Sequence, residues 1–362
     1  MPDNVIDAEA QMTQTRKSHH IRIALEEDVQ AGKTGFDDVA LVHRSLPEIN
    51  LSDVDTSIKW MGRTFSAPVV ISGMTGGTEE AERINRNLAE AAARANIPMG
   101  VGSQRAAIEN PAIQRTFSVC REASKELFLI ANLGAVQLNK GYTSEHAKKA
   151  VEMISANALA LHLNPLQEAC QAEGDTMWKD LLPKIRQVCR DIEIPVIAKE
   201  TGAGICGKDA RELERAGIKT IDVSGSGGTS WSLVESYRGP PIGRVFADWG
   251  IPTAAALAEA VENVRIPVFA SGGIRTGIDA AKCLALGATM VSVAHPFLVA
   301  ASQSAEAVYQ KIEEFKREIR TALFLTGSRN IAELRRKPVI ISGKTREWME
   351  LRNIDVKPLA RR

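Results

Sequence analysis

What this sequence lacks narrows it first. No apolar stretch in its 362 residues is long enough to span a bilayer. The opening stretch, "MPDNVIDAEAQMTQTRKSHH", has no apolar core of the signal-peptide kind, so a cytoplasmic location is expected. There is almost no net charge: 45 basic residues face 44 acidic ones, which gives no electrostatic footprint for nucleic acid or a membrane surface. Cysteine is sparse. Cys120, Cys170, Cys189, Cys206 and Cys283 are scattered, odd in number and form no CxxC, which argues against a disulfide framework or a zinc site. No close internal sequence repeat is visible either.

What is present is a regular beat. From about residue 69 a short apolar run is followed by a turn and then an amphipathic stretch, eight times over. The runs are "APVVIS" (67–72), "IPMGVG" (97–102), "LFLIAN" (127–132), "ALALHL" (158–163), "IPVIAK" (194–199), "KTIDVS" (219–224), "IPVFAS" (266–271) and "ATMVSV" (288–293). Continuous apolar runs suit strands covered on both faces, as in parallel sheets. Between them, "EEAERINRNLAEAAARA" (79–95) puts Ile84, Leu88 and Ala92 on one helical stripe. Ser144, Thr176 and Thr276 read as helix starts, and Gly217 and Gly287 as stops. The segment after 103 is the least clear helix. Eight such units predict a (β/α)8 TIM barrel, with a doubly wound sheet as the structural alternative. Residues 1–68 form an N-terminal arm and cap. Residues 69–321 form the barrel, with a Gly-, Pro- and Trp-rich insertion at 225–252 that is too long for an ordinary connection and is expected to fold over the mouth. Residues 322–362 form a C-terminal tail packed on the barrel.

Barrel enzymes place their chemistry at the C-terminal ends of the strands. Those ends carry Ser72-Gly73-Met74-Thr75, Ser103-Gln104-Arg105, Asn132, His162 and Asn164 with Gln167-Glu168 beyond, Lys199, Ser224 with Thr229, Gly272-Gly273-Ile274-Arg275, and Ala294-His295. Each residue has an ordinary reading as a turn or helix cap; the coincidence around one ring carries the inference. "ASGGIRTG", followed by a helix and then "ATMVSVAH", predicts a phosphate site built on backbone N–H groups and a helix N-terminus, with Arg275 adding charge. Lys199 is placed either to form a Schiff base or to pair with an anion or an electron-rich ring. Glu168 is a candidate ligand for a hard cation such as Mg²⁺, or a surface residue. The basic "TRKSHH" (15–20) is either a solvated face or, together with Arg105, a set of cations for a diphosphate.

These segments together resemble the type 2 isopentenyl-diphosphate isomerases, barrel enzymes that bind FMN. The resemblance covers most of the chain. It rests on "RKSHHIRIAL", "GFDDVALVHRSLPEI", "ISGMTGG", "GVGSQRAAIE", "ANLGA", "LHLNPLQE", "EGD", "KETGAGI", "DVSGSGGTSW" and "ASGGIRTG", of which "GVGSQRA" and "HLNPLQE" are the most specific. Cys206 and Ala172 depart from the family pattern, at positions with no proposed chemical role. The resemblance implies FMN held by Ser72, Gly73, Met74, Thr75, Ser103, Asn132, Lys199, Ser224 and Thr229. Its phosphate would lie at Gly272, Gly273, Arg275, Ala294 and His295. The prenyl diphosphate would meet Arg16, Lys17, Ser103, Gln104, Arg105, Asn164 and Gln167, with Mg²⁺ on Glu168. NADPH would supply an initial reduction, and Gln167, His162 and Lys199 would serve the chemistry around the flavin. A homo-tetramer or homo-octamer is implied.

The implied reaction is a double-bond shift between isopentenyl and dimethylallyl diphosphate without net redox change. Three other readings compete. An FMN-dependent oxidoreductase of the 2-hydroxy-acid oxidase type would share the phosphate loop but needs a His/Arg pair aimed at a carboxylate, which the ring does not assemble. A non-catalytic phosphate sensor would leave the dense polar ring without purpose, although such groups are costly to desolvate. A Schiff-base aldolase would use Lys199.

Overall fold

All eight apolar runs become strands, and they close on themselves. In the structure, a computed structural model describing residues 17–362, the strands are β1 (Val69–Ile71), β2 (Met99–Gly100), β3 (Leu129–Gly134), β4 (Ala158–Leu163), β5 (Val196–Glu200), β6 (Thr220–Asp222), β7 (Val268–Ser271) and β8 (Met290–Val293). Each lies parallel to its sequence neighbour, and β8 pairs with β1 through Val291↔Val69 and Val293↔Ile71. Closure excludes the doubly wound sheet and leaves no barrel edge exposed.

Local chemistry sets the helix ends. The Thr78 hydroxyl accepts from the Ala81 N–H to start Glu79–Ala95, and Ile84, Leu88 and Ala92 are buried on its inner stripe. Thr276 begins Gly277–Ala285 with a capping box to Asp279. Gly217 and Gly287 follow their helices with φ of +106° and +114°, a conformation that glycine adopts without a Cβ clash. Two expected starts differ. Ser144 is the first helical residue, and Thr143 before it forms the capping box with His146. The helix expected from Thr176 begins only at Leu181, because residues 171–180 form a loop that the site uses. The unclear segment after 103 breaks into helix Arg105–Glu109, a 3₁₀ turn Pro111–Ile113 and helix Arg115–Ala123.

The end of the barrel opposite the mouth is plugged by a hairpin, Ile58–Trp60 against Arg63–Phe65. Trp60 lies 5.0 Å from the Phe128 ring and 4.9 Å from the Phe269 ring, centroid to centroid, and its indole N–H reaches the Thr220 hydroxyl at 3.3 Å. Arm and tail are not separate appendages. Val39–Leu41 pairs antiparallel with Val339–Ile341, and helix Ala305–Leu325 runs straight across the expected tail boundary at 321/322. At the mouth, residues 17–26 are helical and bury Ile21, Ile23 and Ala24. The next stretch is tied to the 225–252 insertion: Ala31 N–H donates to Gly228 O (3.0 Å) and Gly32 N–H to Asp248 Oδ1 (2.6 Å). Among the described residues no helix is long and apolar enough to cross a membrane.

Candidate active site

One cavity of about 250 Å³ opens at the C-terminal ends of the strands, and every strand end contributes to its lining. Ser72, Gly73, Met74, Thr75, Ser103, Arg105, Asn132, His162, Asn164, Gln167, Glu168, Lys199, Ser224, Thr229, Gly272, Gly273, Arg275, Ala294 and His295 all face it, and Lys17 joins them from the arm. The Gly272 turn, Arg105 and Glu168 thus share one chamber. Two expected residues do not join them. Arg16 lies outside the described residues. Gln104 is fully buried in the wall: its amide N–H donates to Ala150 O (2.8 Å) and its carbonyl accepts from Asn132 N–H (2.9 Å). It laces the ends of β2 and β3 together and does not face the cavity, a correction to its expected contact with substrate.

The floor follows from strand register. His162 pairs with Lys199 across β4/β5, and Lys199 with Asp222 across β5/β6, so three polar side chains enter one layer of the barrel side by side. Lys199 Nζ is 3.3 Å from Asp222 Oδ2, both largely buried, and the other Asp222 oxygen accepts from the Ser271 hydroxyl. An ion-paired ammonium is a poor nucleophile, so the pairing favours the charge-holding role of Lys199 over the Schiff base. His162 Nδ1 lies 2.8 Å from Asn132 Oδ1, and the Asn132 amide donates to Val101 O, which assigns the Nδ1–H tautomer to the ring. Burial, then the charges of Lys199 and Lys17, push the imidazole down to about 4 against the pull of the Leu133 carbonyl. His162 is therefore neutral at physiological pH.

A pH dependence follows. The unfolded chain takes up a proton at His162 near its ordinary value of 6.5 while the folded chain resists until about 4. This contribution to stability is complete above 6.5 and is lost as pH falls toward 4. Urea midpoints of the apoprotein measured across that window are expected to fall with pH more steeply for wild type than for His162→Asn.

Beyond Lys199 the chain alternates, and Glu200 points the opposite way. Its Oε2 gathers the N–H groups of Thr201 (2.6 Å), Gly202 (2.5 Å), Ala203 (2.5 Å) and Gly204 (3.2 Å), a nest that fixes the turn whose Thr201 and Gly202 line the cavity. Burial pushes this carboxyl up to about 7 against those four donors.

The corner after β7 and β8 suits a phosphate. Gly272 and Gly273 take φ of +100° and +67°, and Ala294 caps the nine-residue helix His295–Gln303. Burial lowers the Arg275 pKa, and among the described residues no carboxylate lies within 4.0 Å of its guanidinium. A half-buried cation without a carboxylate partner, beside a helix N-terminus, fits an anionic group such as the FMN phosphate. His295 Nε2 lies 3.0 Å from Ala24 O, which ties this corner to the arm helix.

The rim opposite carries a second constellation. Lys17 Nζ reaches Ser103 O at 3.0 Å. Pro165 starts a short helix, Pro165–Cys170, that lifts Gln167 and Glu168 to the opening. The Asn164 amide donates to Gln167 Oε1 (3.2 Å) and Glu168 Oε1 (3.0 Å); its own carbonyl oxygen is buried and has no protein donor. Gln167 in turn donates to Glu235 Oε1 (2.9 Å), from the mouth insertion. Burial pushes the Glu235 carboxyl up, but His20 at 3.0 Å, Gln167 and Arg238 at 2.7 Å outweigh it and hold it ionised, below the ordinary carboxylate value. Glu168 Oε2 accepts from the Asp175 N–H at 2.7 Å.

Among the described residues no cluster of three or more His, Cys, Asp or Glu could hold a metal. At Glu168 a cation would meet this carboxylate, with water and substrate oxygens completing a hard-oxygen set that fits Mg²⁺. His20, Gln137, Asp222, Glu235 and Arg238 were given no individual role by sequence reasoning, and Glu200 was seen only as part of the polar end of strand five. Glu235 and Arg238 sit in the irregular 225–252 insertion, where no periodicity points to them.

Gly174 allows the loop to close, since a Cβ there would overlap the Glu168 carbonyl. Gly174→Ala is expected to displace Glu168 and weaken Mg²⁺-dependent ligand binding about tenfold or more, read by calorimetry, with flavin content unchanged.

Comparison with known proteins agrees with this geometry. A family model described as FMN-dependent dehydrogenase matches residues 24–113 and 121–341. An isopentenyl-diphosphate delta-isomerase from Methanothermobacter thermautotrophicus is 47% identical over 354 residues, covering 97% of this chain and 100% of that protein. Another from Methanothrix thermoacetophila is 48% identical over 353 residues, covering 95% and 98%. Among solved structures, a Pediococcus acidilactici lactate oxidase superposes with a TM-score of 0.66 at 14% identity over 93% of this chain and 94% of that one, a likeness of fold alone. With near full-length identity of this order, the chain belongs to the type 2 isopentenyl-diphosphate isomerase family.

Proposed function

We propose that this protein interconverts isopentenyl diphosphate and dimethylallyl diphosphate, with FMN on the floor of the mouth cavity and a Mg²⁺–diphosphate at its rim. The observation that carries the reading is the convergence of three parts in one chamber: the Gly272–Arg275 anion corner, the His162–Lys199–Asp222 floor, and the Lys17, Arg105 and Glu168 rim.

The reaction adds a proton to one carbon and removes one from its neighbour but one, with no net redox change. An unactivated alkene is a poor base, so the reaction calls for a dry site and electron-rich support. Reduced FMN, when bound, would supply that electron-rich ring and an acid–base nitrogen, with NADPH providing the initial reduction. Lys199, paired with Asp222 at 3.3 Å, would stabilise negative charge on the floor. His162, neutral with Nδ1–H given to Asn132, would orient the alkene and not act as an imidazolium acid. Gln167, fixed at both ends by Asn164 and Glu235, would place the reacting carbons. Lys17 and Arg105 would clamp the diphosphate, whose binding energy positions the remote alkene. Mg²⁺ on Glu168 would neutralise part of the diphosphate charge.

Self-association is part of the proposal. The mouth insertion exposes Ile242, Val245 and Trp249, with Val245 82% and Trp249 63% exposed, beside an apolar groove lined by Trp178, Leu182, Phe246 and Trp348. A second copy of the chain covering this face would remove that apolar surface from water. Light scattering is expected to give a homo-oligomer that Trp249→Glu weakens.

The test of function is an anaerobic assay with FMN, Mg²⁺, NADPH and isopentenyl diphosphate. Dimethylallyl diphosphate should form over many turnovers while NADPH is consumed only to reduce the flavin once. Steady consumption of O₂ with a 2-hydroxy acid, and no isomer formed, would favour the oxidase reading instead.

A further inference from the structure

Arg105 does not stand alone at the rim. Its Nε donates to Glu109 Oε1 at 2.9 Å and its Nη1 to Asp175 Oδ2 at 3.3 Å, so two carboxylates hold the back of the guanidinium. Glu109 is itself braced by the Tyr142 hydroxyl at 3.0 Å. The remaining N–H groups are the ones available to the cavity that Arg105 lines.

Asp175 is the more connected partner. Its carboxylate also accepts from Lys140 Nζ (2.5 Å) and Gln137 Nε2 (2.9 Å), and its backbone N–H is the donor to Glu168 Oε2. Its carbonyl accepts from the Trp178 indole at 3.0 Å, and the Asn139 side chain holds Met177 O and Lys179 O just beyond. One residue on the 171–180 loop therefore touches the cation that follows β2 and the carboxylate that follows β4, two strands not adjacent in the barrel. The residue is only 8% exposed. Burial alone would push its carboxyl up, but Lys140, Gln137 and Arg105 together hold it down and ionised.

We infer that Asp175 is a positioning residue that fixes Arg105 and Glu168 relative to each other, so that the diphosphate and its metal meet a preformed rim. This rests on the functional reading above. The physical basis is preorganisation: a long arginine side chain free to sample its rotamers loses entropy when ligand binds, and one already pinned by two carboxylates does not. A carboxylate is needed because three donors converge on it. An amide would turn N–H groups against Lys140, Gln137 or Arg105.

The test is a double-mutant cycle on the FMN-loaded, oxidised holoenzyme. Calorimetry reads the affinity for isopentenyl diphosphate in the presence of Mg²⁺, and steady-state assays on the reduced enzyme separate KM from kcat. Asp175→Asn and Arg105→Lys are each expected to weaken binding about tenfold, and the double variant little more than either, because both act through one contact. KM should rise more than kcat falls, and flavin content should not change. If Asp175→Asn does not fold, Lys140→Gln replaces it in the cycle; it removes the shortest hold on the carboxylate and should show the same non-additivity at about threefold. Effects that multiply independently, or an Asp175→Asn variant with wild-type affinity, would overturn the inference. A wild-type holoenzyme that fails to bind isopentenyl diphosphate at all would overturn the functional reading as well.

Discussion

Glu168→Gln is expected to raise the Mg²⁺ concentration needed for half-maximal substrate binding by about 100-fold or more, while leaving FMN bound. The change is nearly isosteric, so it isolates charge and donor pattern. Both Glu168 oxygens accept, one from Asn164 and one from the Asp175 backbone. A glutamine must turn its NH₂ group toward one of those donors and loses the negative charge that a hard cation requires. No flavin-side residue touches Glu168 through these bonds. Calorimetric titration at several Mg²⁺ concentrations, with flavin absorbance on the same sample, gives both quantities. A variant that lost FMN yet kept normal Mg²⁺ dependence would show that the division between floor and rim is wrong.

Lys199→Met carries the second large effect, on stability as well as activity. It leaves Asp222 buried with the Ser271 hydroxyl and no cation, and breaking one side of a buried pair costs about 3–5 kcal/mol. Urea unfolding should show that loss. Adding Asp222→Asn should restore most of it, because the orphaned charge is then gone. Activity should not return, since the double variant still lacks the ammonium facing the cavity. Restored turnover would assign Lys199 a purely structural role.

The barrel was legible because its strands are buried on both faces and cannot alternate; each apolar run marked a strand within a few residues. The polar ring was legible for the same reason, since polar groups at the end of a buried strand are costly to desolvate unless they meet a partner or a ligand. Gln104 shows the limit. Its neighbours Ser103 and Arg105 face the cavity while it turns into the wall, a choice made by the break from β2 into helix Arg105–Glu109 and not by residue type. Glu235 and Arg238 were invisible because the insertion that delivers them has no period, and their partners, His20 and Gln167, lie on elements far away in sequence. Asp175 lay within a quoted motif, yet only the fold shows that it faces Arg105. Glu200 stood beside Lys199 at the polar end of its strand, yet alternation turns it away from the cavity to hold the following turn.

The short ladder joining Val39–Leu41 to Val339–Ile341 has a consequence for biosynthesis. The whole barrel is translated between these partners, so the early strand emerges from the ribosome long before its mate exists. Until then the arm is held to the mouth by its other contacts alone, Ala31 to Gly228, Gly32 to Asp248, Lys17 to Ser103 and Ala24 to His295. A premature stop ahead of residue 339 would leave Val39–Leu41 an unpaired strand edge, free to pair with another chain.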